Sequence, residues 1–343
     1  MRLGSALSRR AFLVFGASSL VAARSGDPAR RTIGPGVRNG HVLVNDPVRG
    51  VLVLVGGADA QAVRAETWIR KGEVWRLSGP GGPGPRTFPA AAFDRRRGRL
   101  VLFGGNRVLF GPEGARDTLL DDTWEWSGGG WKRLPVSGPP ARSESSASFD
   151  ERRGRVVLFG GWRWVEGRRE RLGDTWEFDG ARWEQVSAVG PEGRSGMALA
   201  FDRGLGATVL VGGSAGRGPF ADTWEWRGSG WEGPLPGPGP RFNPALAADT
   251  NRGELVCFGG WDGSRRLDDT QVRREGRWEP RAAKTGPSPR NHTAMTFDEI
   301  HRRVLLFGGH DGERVFGDLW SWDGEAWTRL EDAEPRPRVD NGH

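Results

Sequence analysis

The 343-residue chain has no tyrosine, one cysteine and five histidines. Without tyrosine, chemistry that depends on a phenol is excluded. The single cysteine, Cys257, can form no disulfide within the chain, so burial alone must hold the fold; in the apolar run LVCFGG it stands in for an aliphatic neighbour. The histidines, at 41, 292, 301, 310 and 343, never fall at metal-ligand spacing, and no metal or other cofactor is expected. His41, His292 and His310 could meet only across repeats, where a hydrogen-bonded role is the simpler expectation. Lysine occurs only at 71, 132 and 284, and the arginines are scattered. With no basic stripe and no recognisable reading element, nucleic acid is not an expected partner.

What the chain has in excess is tryptophan, seventeen residues, and glycine, fifty-five. The phrase DDTWEWSGGGW (121–131) recurs as GDTWEFDGARW (173–183), ADTWEWRGSGW (221–231) and GDLWSWDGEAW (317–327), with weaker copies at 65–75 and 268–278. A second phrase ends in paired glycines at Gly57, Gly105, Gly161, Gly213, Gly260 and Gly309. A third, R-x-x-x-A-x-x-F-D, opens each unit at Arg86, Arg142, Arg194 and Arg290, with looser versions at Arg38 and Arg241. Six units of about fifty residues therefore fill nearly the whole chain.

Each unit reads as four short antiparallel strands. The first ends at F-D; a turn with glycine at 50, 98, 154, 206 or 253, and Arg302 in the sixth unit, leads to a continuous apolar strand suited to burial on both faces. The tryptophan phrase supplies the third and fourth strands, joined by a hairpin turn. Its aromatics then act as spacers between diverging sheets, with Trp124, Trp176 and Trp224 buried and blade five, where Gln271 takes that place, packed least well. Glycine clusters such as SGGGW are hairpin turns rather than phosphate loops, because no helix follows them.

These motifs resemble the kelch-repeat family, including the galactose-oxidase-like central propeller, from about Gly34 to Leu330. The resemblance implies an all-β, six-bladed kelch-type β-propeller with four antiparallel strands per blade. Blades are expected at about 36–78, 84–134, 140–186, 192–234, 239–281 and 288–330 within a domain spanning 32–343. The tail 331–343, whose Asn341-Gly342-His343 repeats Asn39-Gly40-His41, is expected to lie beside blade one and close the ring. The family includes partner-binding modules, a copper oxidase, mutarotase-like and epimerase-like sugar enzymes and iron-dependent specifier proteins. Absence of tyrosine excludes the copper-radical oxidase, and no E-x-x-x-D-x-x-x-H iron motif is present.

Residues 1–31 read as an export segment and short linker. Ser8-Arg9-Arg10-Ala11-Phe12-Leu13 resembles the bacterial twin-arginine signal, an ordinary secretory signal being the alternative. The apolar stretch from Ala11 to Ala23 is too short for the roughly 20 residues of a membrane span. Removing residues 1–23 would lower the formal charge from +7 to +4. The expectation is a monomeric exported protein, periplasmic or extracellular.

Candidate ligand residues emerge once the repeat is subtracted. Trp162, Trp164 and Trp261 lie outside the framework and follow glycine pairs, in loops that vary while the strands do not. Trp162 or Trp164, together with Trp261, is expected to be substantially exposed, with Asn106, Arg163, Ser214, Asp262, His310 and Asp311 on the same face of the propeller, a mixture suited to a sugar or peptide. The alternative is that the indoles fold over their own loops. The six opener arginines are expected to be structural, tied to carboxylates such as Asp122, Asp174, Asp222, Asp269 and Asp318. No catalytic residue can be assigned. A noncatalytic binding protein for a glycan or protein ligand is the favoured expectation, with a mutarotase-like or epimerase-like sugar enzyme as the alternative.

Overall fold

The structure is a computed structural model that describes residues 34–109, 118–187 and 189–331. The expected export segment and all but the first residue of the expected closing tail lie outside the described residues. Within them the chain forms six four-stranded antiparallel sheets, each in simple sequential order, arranged as the blades of a β-propeller, with no α-helix. The innermost strands, Asn39–Asp46, Ala90–Asp94, Ser146–Asp150, Ser195–Asp202, Ala245–Asp249 and Ala294–Asp298, pack one against the next around the axis, the last against the first. The second strands carry the apolar runs. Val53, Leu54, Val157, Leu158, Val209, Leu210, Val256 and Leu305 have no exposed surface, because each second strand is sandwiched between two neighbouring blades.

The opener arginine and the glycine pair form one device that joins successive blades. The main chain of Arg194 belongs to blade three: its N–H donates to Leu172 O at 3.0 Å and its carbonyl accepts from Gly161 N–H at 2.9 Å. Its guanidinium belongs to blade four, donating to Gly212 O at 3.0 Å and to both carboxylate oxygens of Asp222 at 2.6 and 2.9 Å. The same pattern holds at Arg86, Arg142, Arg241 and Arg290, and at Arg38 with Glu66 at 3.9 Å in the carboxylate's place. The first glycine of each pair is required twice over. At Gly160 φ is +67°, and a Cβ would sit 2.6 Å from the Arg194 carbonyl oxygen.

The tryptophans divide into three roles, and the spacers are not the three expected. Trp124, Trp176 and Trp224 are only partly buried: each donates its indole N–H at 2.7–2.8 Å to the aspartate two residues earlier, the same carboxylate that the opener arginine grips. That bond holds the indole at the rim. Full burial passes to the residue two positions on, with Trp126 at 1% exposure and Trp226 and Trp322 at 0%. The fourth-strand tryptophans tie blades together, since Trp131, Trp183, Trp231, Trp278 and Trp327 donate to Thr67, Thr123, Thr175, Thr223 and Thr270 of the preceding blade at 2.8–3.0 Å. In blade five Gln271 reproduces the missing indole bond, donating to Asp269 at 2.8 Å. The larger change there is Arg273, which stands where blades two, three, four and six bury an aromatic and blade one buries Arg70, and which pairs with Glu225 of blade four at 2.6 Å.

The ring closes through described residues. Arg38 N–H donates to Phe316 O, Gly309 N–H to Arg38 O, and Asn45 N–H to the Thr296 hydroxyl. Blade six offers Leu319 where other blades offer the threonine, so Trp75 donates instead to the Glu331 carboxylate at 2.7 Å, which also pairs with Arg70. At the turn end of the axis Arg95 and Arg203 bridge Glu151, at 3.1 and 2.8 Å, and Arg95 also pairs with Glu299.

Two substitutions separate backbone strain from steric closure. Gly72 has φ +60° with open space around it, so Gly72→Ala should cost about 1 kcal/mol. Gly160→Ala adds the collision with Arg194 and should cost more than about 3 kcal/mol; equal losses in chemical denaturation would refute the closure argument. Arg302, at φ +53°, stands where five blades use glycine, and Arg302→Gly should raise stability by up to about 1 kcal/mol.

Candidate functional site

The loop face is built on a repeated register. In every blade the residue after the opener pairs with the residue after the glycine pair: Asn39 with Ala58, Thr87 with Asn106, Ser143 with Trp162, Ser195 with Ser214, Phe242 with Trp261 and Asn291 with His310. This register brings the candidate positions to the same level around the axis.

One residue further inward lies a ring the sequence reading missed. Gly40, Phe88, Glu144, Gly196, Asn243 and His292 all have φ between +51° and +64°. Each N–H donates to the carbonyl of its counterpart in the preceding blade, at 2.7 Å for Phe88 to Gly40 and for Asn243 to Gly196, and the sixth bond, Gly40 to His292 at 3.2 Å, closes the circle. The glycines make room: a Cβ at Gly40 or Gly196 would strike the ring of Phe88 or Phe242. His292 stands between them, its centroid 4.8 Å from Phe88 and 6.3 Å from Phe242. Below this rim the axial cavity, about 190 Å³, is walled by small and aliphatic side chains including Val42, Ala91, Ala147 and Leu246.

His292 and His310 meet in a hydrogen-bonded pair. Gly312 N–H donates to His310 Nδ1 at 3.1 Å, so neutral His310 carries its proton on Nε2 and donates to His292 Nδ1 at 2.8 Å. His292 Nε2–H must then face an acceptor, which assigns the Asn243 amide oxygen to that 2.6 Å contact. Burial, then the neighbouring Arg266, lowers the pKa of His310 to about 4; burial, His310 and Arg266 hold His292 well below its ordinary value. His41 is separate: it packs edge-on to Phe307, and burial with Arg38 nearby lowers its pKa to about 3. Among the described residues no group of three or more acids, histidines or cysteines is placed to hold a metal ion.

The sequence candidates sort by what their side chains do. Of the alternatives Trp162 and Trp164, Trp162 is the buried one, at 5% exposure. Its loop folds into a hairpin, Trp162–Val165 against Arg168–Arg171, which lays Arg169 over Trp162 at 4.6 Å and over Trp164 at 5.5 Å. Trp164 and Trp261 are half-buried, not substantially exposed, Trp261 being held between Phe242 and Arg266 by backbone bridges. Arg163 pairs with Glu170 at 2.5 Å on the hairpin's other face. Asn106 is buried and accepts the Val108 N–H, and the buried Ser214 hydroxyl donates to Gly218 O at 2.9 Å. Asp262 and Asp311 cap their own turns; Arg265 N–H, then Ser264, lower the pKa of Asp262 to about 2. The opener arginines have at most 2% exposure and are paired, so they present no cationic ring to a ligand.

Glu144 was not foreseen. Its carboxylate accepts the Ser195 hydroxyl at 2.8 Å, and burial raises its pKa against the opposing pull of that bond and of Arg171 and Arg169. The one sequence signal was positional: two residues after the opener, two repeats have glycine and four have Phe, Glu, Asn or His.

No protein-family model matches the chain. Over 141 residues, 37% of its length, it is 29% identical to Mei4-dependent protein 6 of Schizosaccharomyces pombe. The chain spans only 20% of the length of that curated relative. No helix among the described residues is long and apolar enough to cross a membrane.

The histidine pair makes a pH test of the rim. Its pKa values are lower in the folded chain than unfolded, so the unfolded state binds more protons in acid. The stability they contribute is complete above pH 6.5 and is lost as pH falls through about 4, by up to about 3 kcal/mol for His310. Denaturation between pH 7 and 4 should show a shallower decline for His310→Gln than for the unaltered chain; equal slopes would refute the neutral pair.

Proposed function

We propose that this chain is an exported, noncatalytic binding protein of the kelch type, whose loop face takes a glycan or protein ligand. The carrying observation is the rim: four residues other than glycine hold left-handed backbone at the mouth, where only glycine is free of cost. Backbone strain of about 1 kcal/mol or more per residue persists where the side chain is needed. Around them Trp164, Trp261, Phe88 and Phe242 offer half-buried aromatic surface on a rigid ring, the usual composition of a ligand site. A sugar-active enzyme is the second reading, favoured by one observation, the raised pKa of Glu144.

The test is an array of oligosaccharides and peptides, followed by isotherms on Trp261→Ala and Trp164→Ala. One ligand class should bind, with at least a tenfold loss in one of these variants and little change in melting temperature. Failure of every ligand, or binding indifferent to both substitutions, would refute the loop-face reading. Turnover of a sugar, lost in Glu144→Gln, would establish the enzyme instead.

A further inference from the structure

The blade-three hairpin is the one additional sheet among the described residues. Its register pairs Trp162 with Arg171 and Trp164 with Arg169, which puts two indoles and two guanidinia on one face, and Arg163, Glu170, Val165 and Arg168 on the other. The first face adjoins Glu144: Arg171 and Arg169 both act on its carboxyl, and Trp162 lies beside it. We propose that this face and the blade-three rim bind a carboxylate carried on a saccharide ring, as in a uronate-containing oligosaccharide. The proposal rests on the loop-face reading above and names its ligand class.

Three observations carry it. The first is an excess of donors without acceptors. Ser143 Oγ, Ser145 Oγ and Arg171 Nε are buried and make no hydrogen bond, and Ser143 is 0% exposed. Buried donors left unpaired cost about 1–3 kcal/mol each, and three on neighbouring segments of blade three favour an acceptor-rich, anionic group. The second is Glu144. The groups that face it are Ser195 of blade four and Trp162, Arg169 and Arg171 of the hairpin, and its pKa is nevertheless raised by burial. In its protonated form such an acid donates to a ligand carboxylate, and two carboxyl groups can share that proton. A sulfate ester is too weak a base to do so. The third is Trp164, half-buried, whose ring supplies an apolar surface for the C–H face of a sugar. The guanidinia then take the carboxylate's charge.

The experiment is calorimetric titration of the full chain between pH 5 and 8 with tri-galacturonate, its neutral methyl ester and a sulfated oligosaccharide. Tri-galacturonate should bind at least tenfold more tightly than the ester, and Arg169→Ala and Arg171→Gln should each weaken it at least tenfold. Its affinity should fall as pH rises and Glu144 ionises. Glu144→Gln, which keeps a donor and cannot ionise, should flatten that profile. Arg169 is exposed, so its variant should melt as the unaltered chain does. Equal binding of acid and ester, unchanged affinity in both arginine variants, or equally tight pH-independent binding of the sulfated sugar would overturn the proposal. So would binding of a neutral glycan or peptide alone, lost in Trp261→Ala; that outcome would leave the loop-face reading standing. No binding of any ligand would remove both.

Discussion

Each opener arginine is held by its backbone in one blade and by its guanidinium in the next, and the propeller depends on that division. The glycine carbonyl that receives the guanidinium and the glycine N–H that holds the main chain are adjacent in sequence, so one short motif serves both sides of every interface. A buried guanidinium is costly to desolvate. Here it is offset by a bidentate carboxylate and a carbonyl, and Asp174 shows the result: burial alone would raise its pKa, yet Arg142 keeps it below the usual carboxylate range. The aspartate then receives the first indole N–H of the tryptophan phrase. Arginine, glycine pair, aspartate and tryptophan thus recur together because they are parts of one contact.

Where the repeat departs from its pattern, the missing interaction is supplied by a neighbour. Leu205 replaces the arginine that in blades two and three reaches Glu125 and Glu177, and Glu225 is met instead by Arg273 from blade five. Leu319 removes the threonine that would receive Trp75, and Glu331 takes its place. Gln271 keeps the bond of the indole it replaces. These exchanges conserve hydrogen-bond satisfaction rather than residue identity, as expected where an unpaired buried group costs more than a bond contributes.

The fold was legible because its signals are stated six times: the glycine pair, the seven-residue tryptophan spacing and the opener locate every blade. Burial within the phrase was less legible. Alternation says that Trp124 and Trp126 share a face, but not that Asp122 holds one of them at the rim. The site was harder still. Trp162 and Trp164 follow the same glycine pair, and only the hairpin that returns Arg169 over them shows that Trp162 is the buried one. His292 and His310 lie eighteen residues apart, and their meeting follows from a bridge between opener and loop that no local pattern announces. Glu144 and its ring partners occupy a variable position in the repeat, and what unites them is a backbone angle.

The six hydrogen bonds of that rim run head to tail around the axis, each residue donating through one peptide and accepting through the next. A closed circle of donors and acceptors has no first N–H and no last C=O, so the rim lacks the unsatisfied ends from which a helix derives its poles. The rim backbone therefore offers an incoming ligand none of these six N–H groups unpaired. The local field is left to a few side chains, Arg169, Arg171, Glu144 and the neutral histidine pair, and its sign can change by substitution there without disturbing the bonds that close the circle.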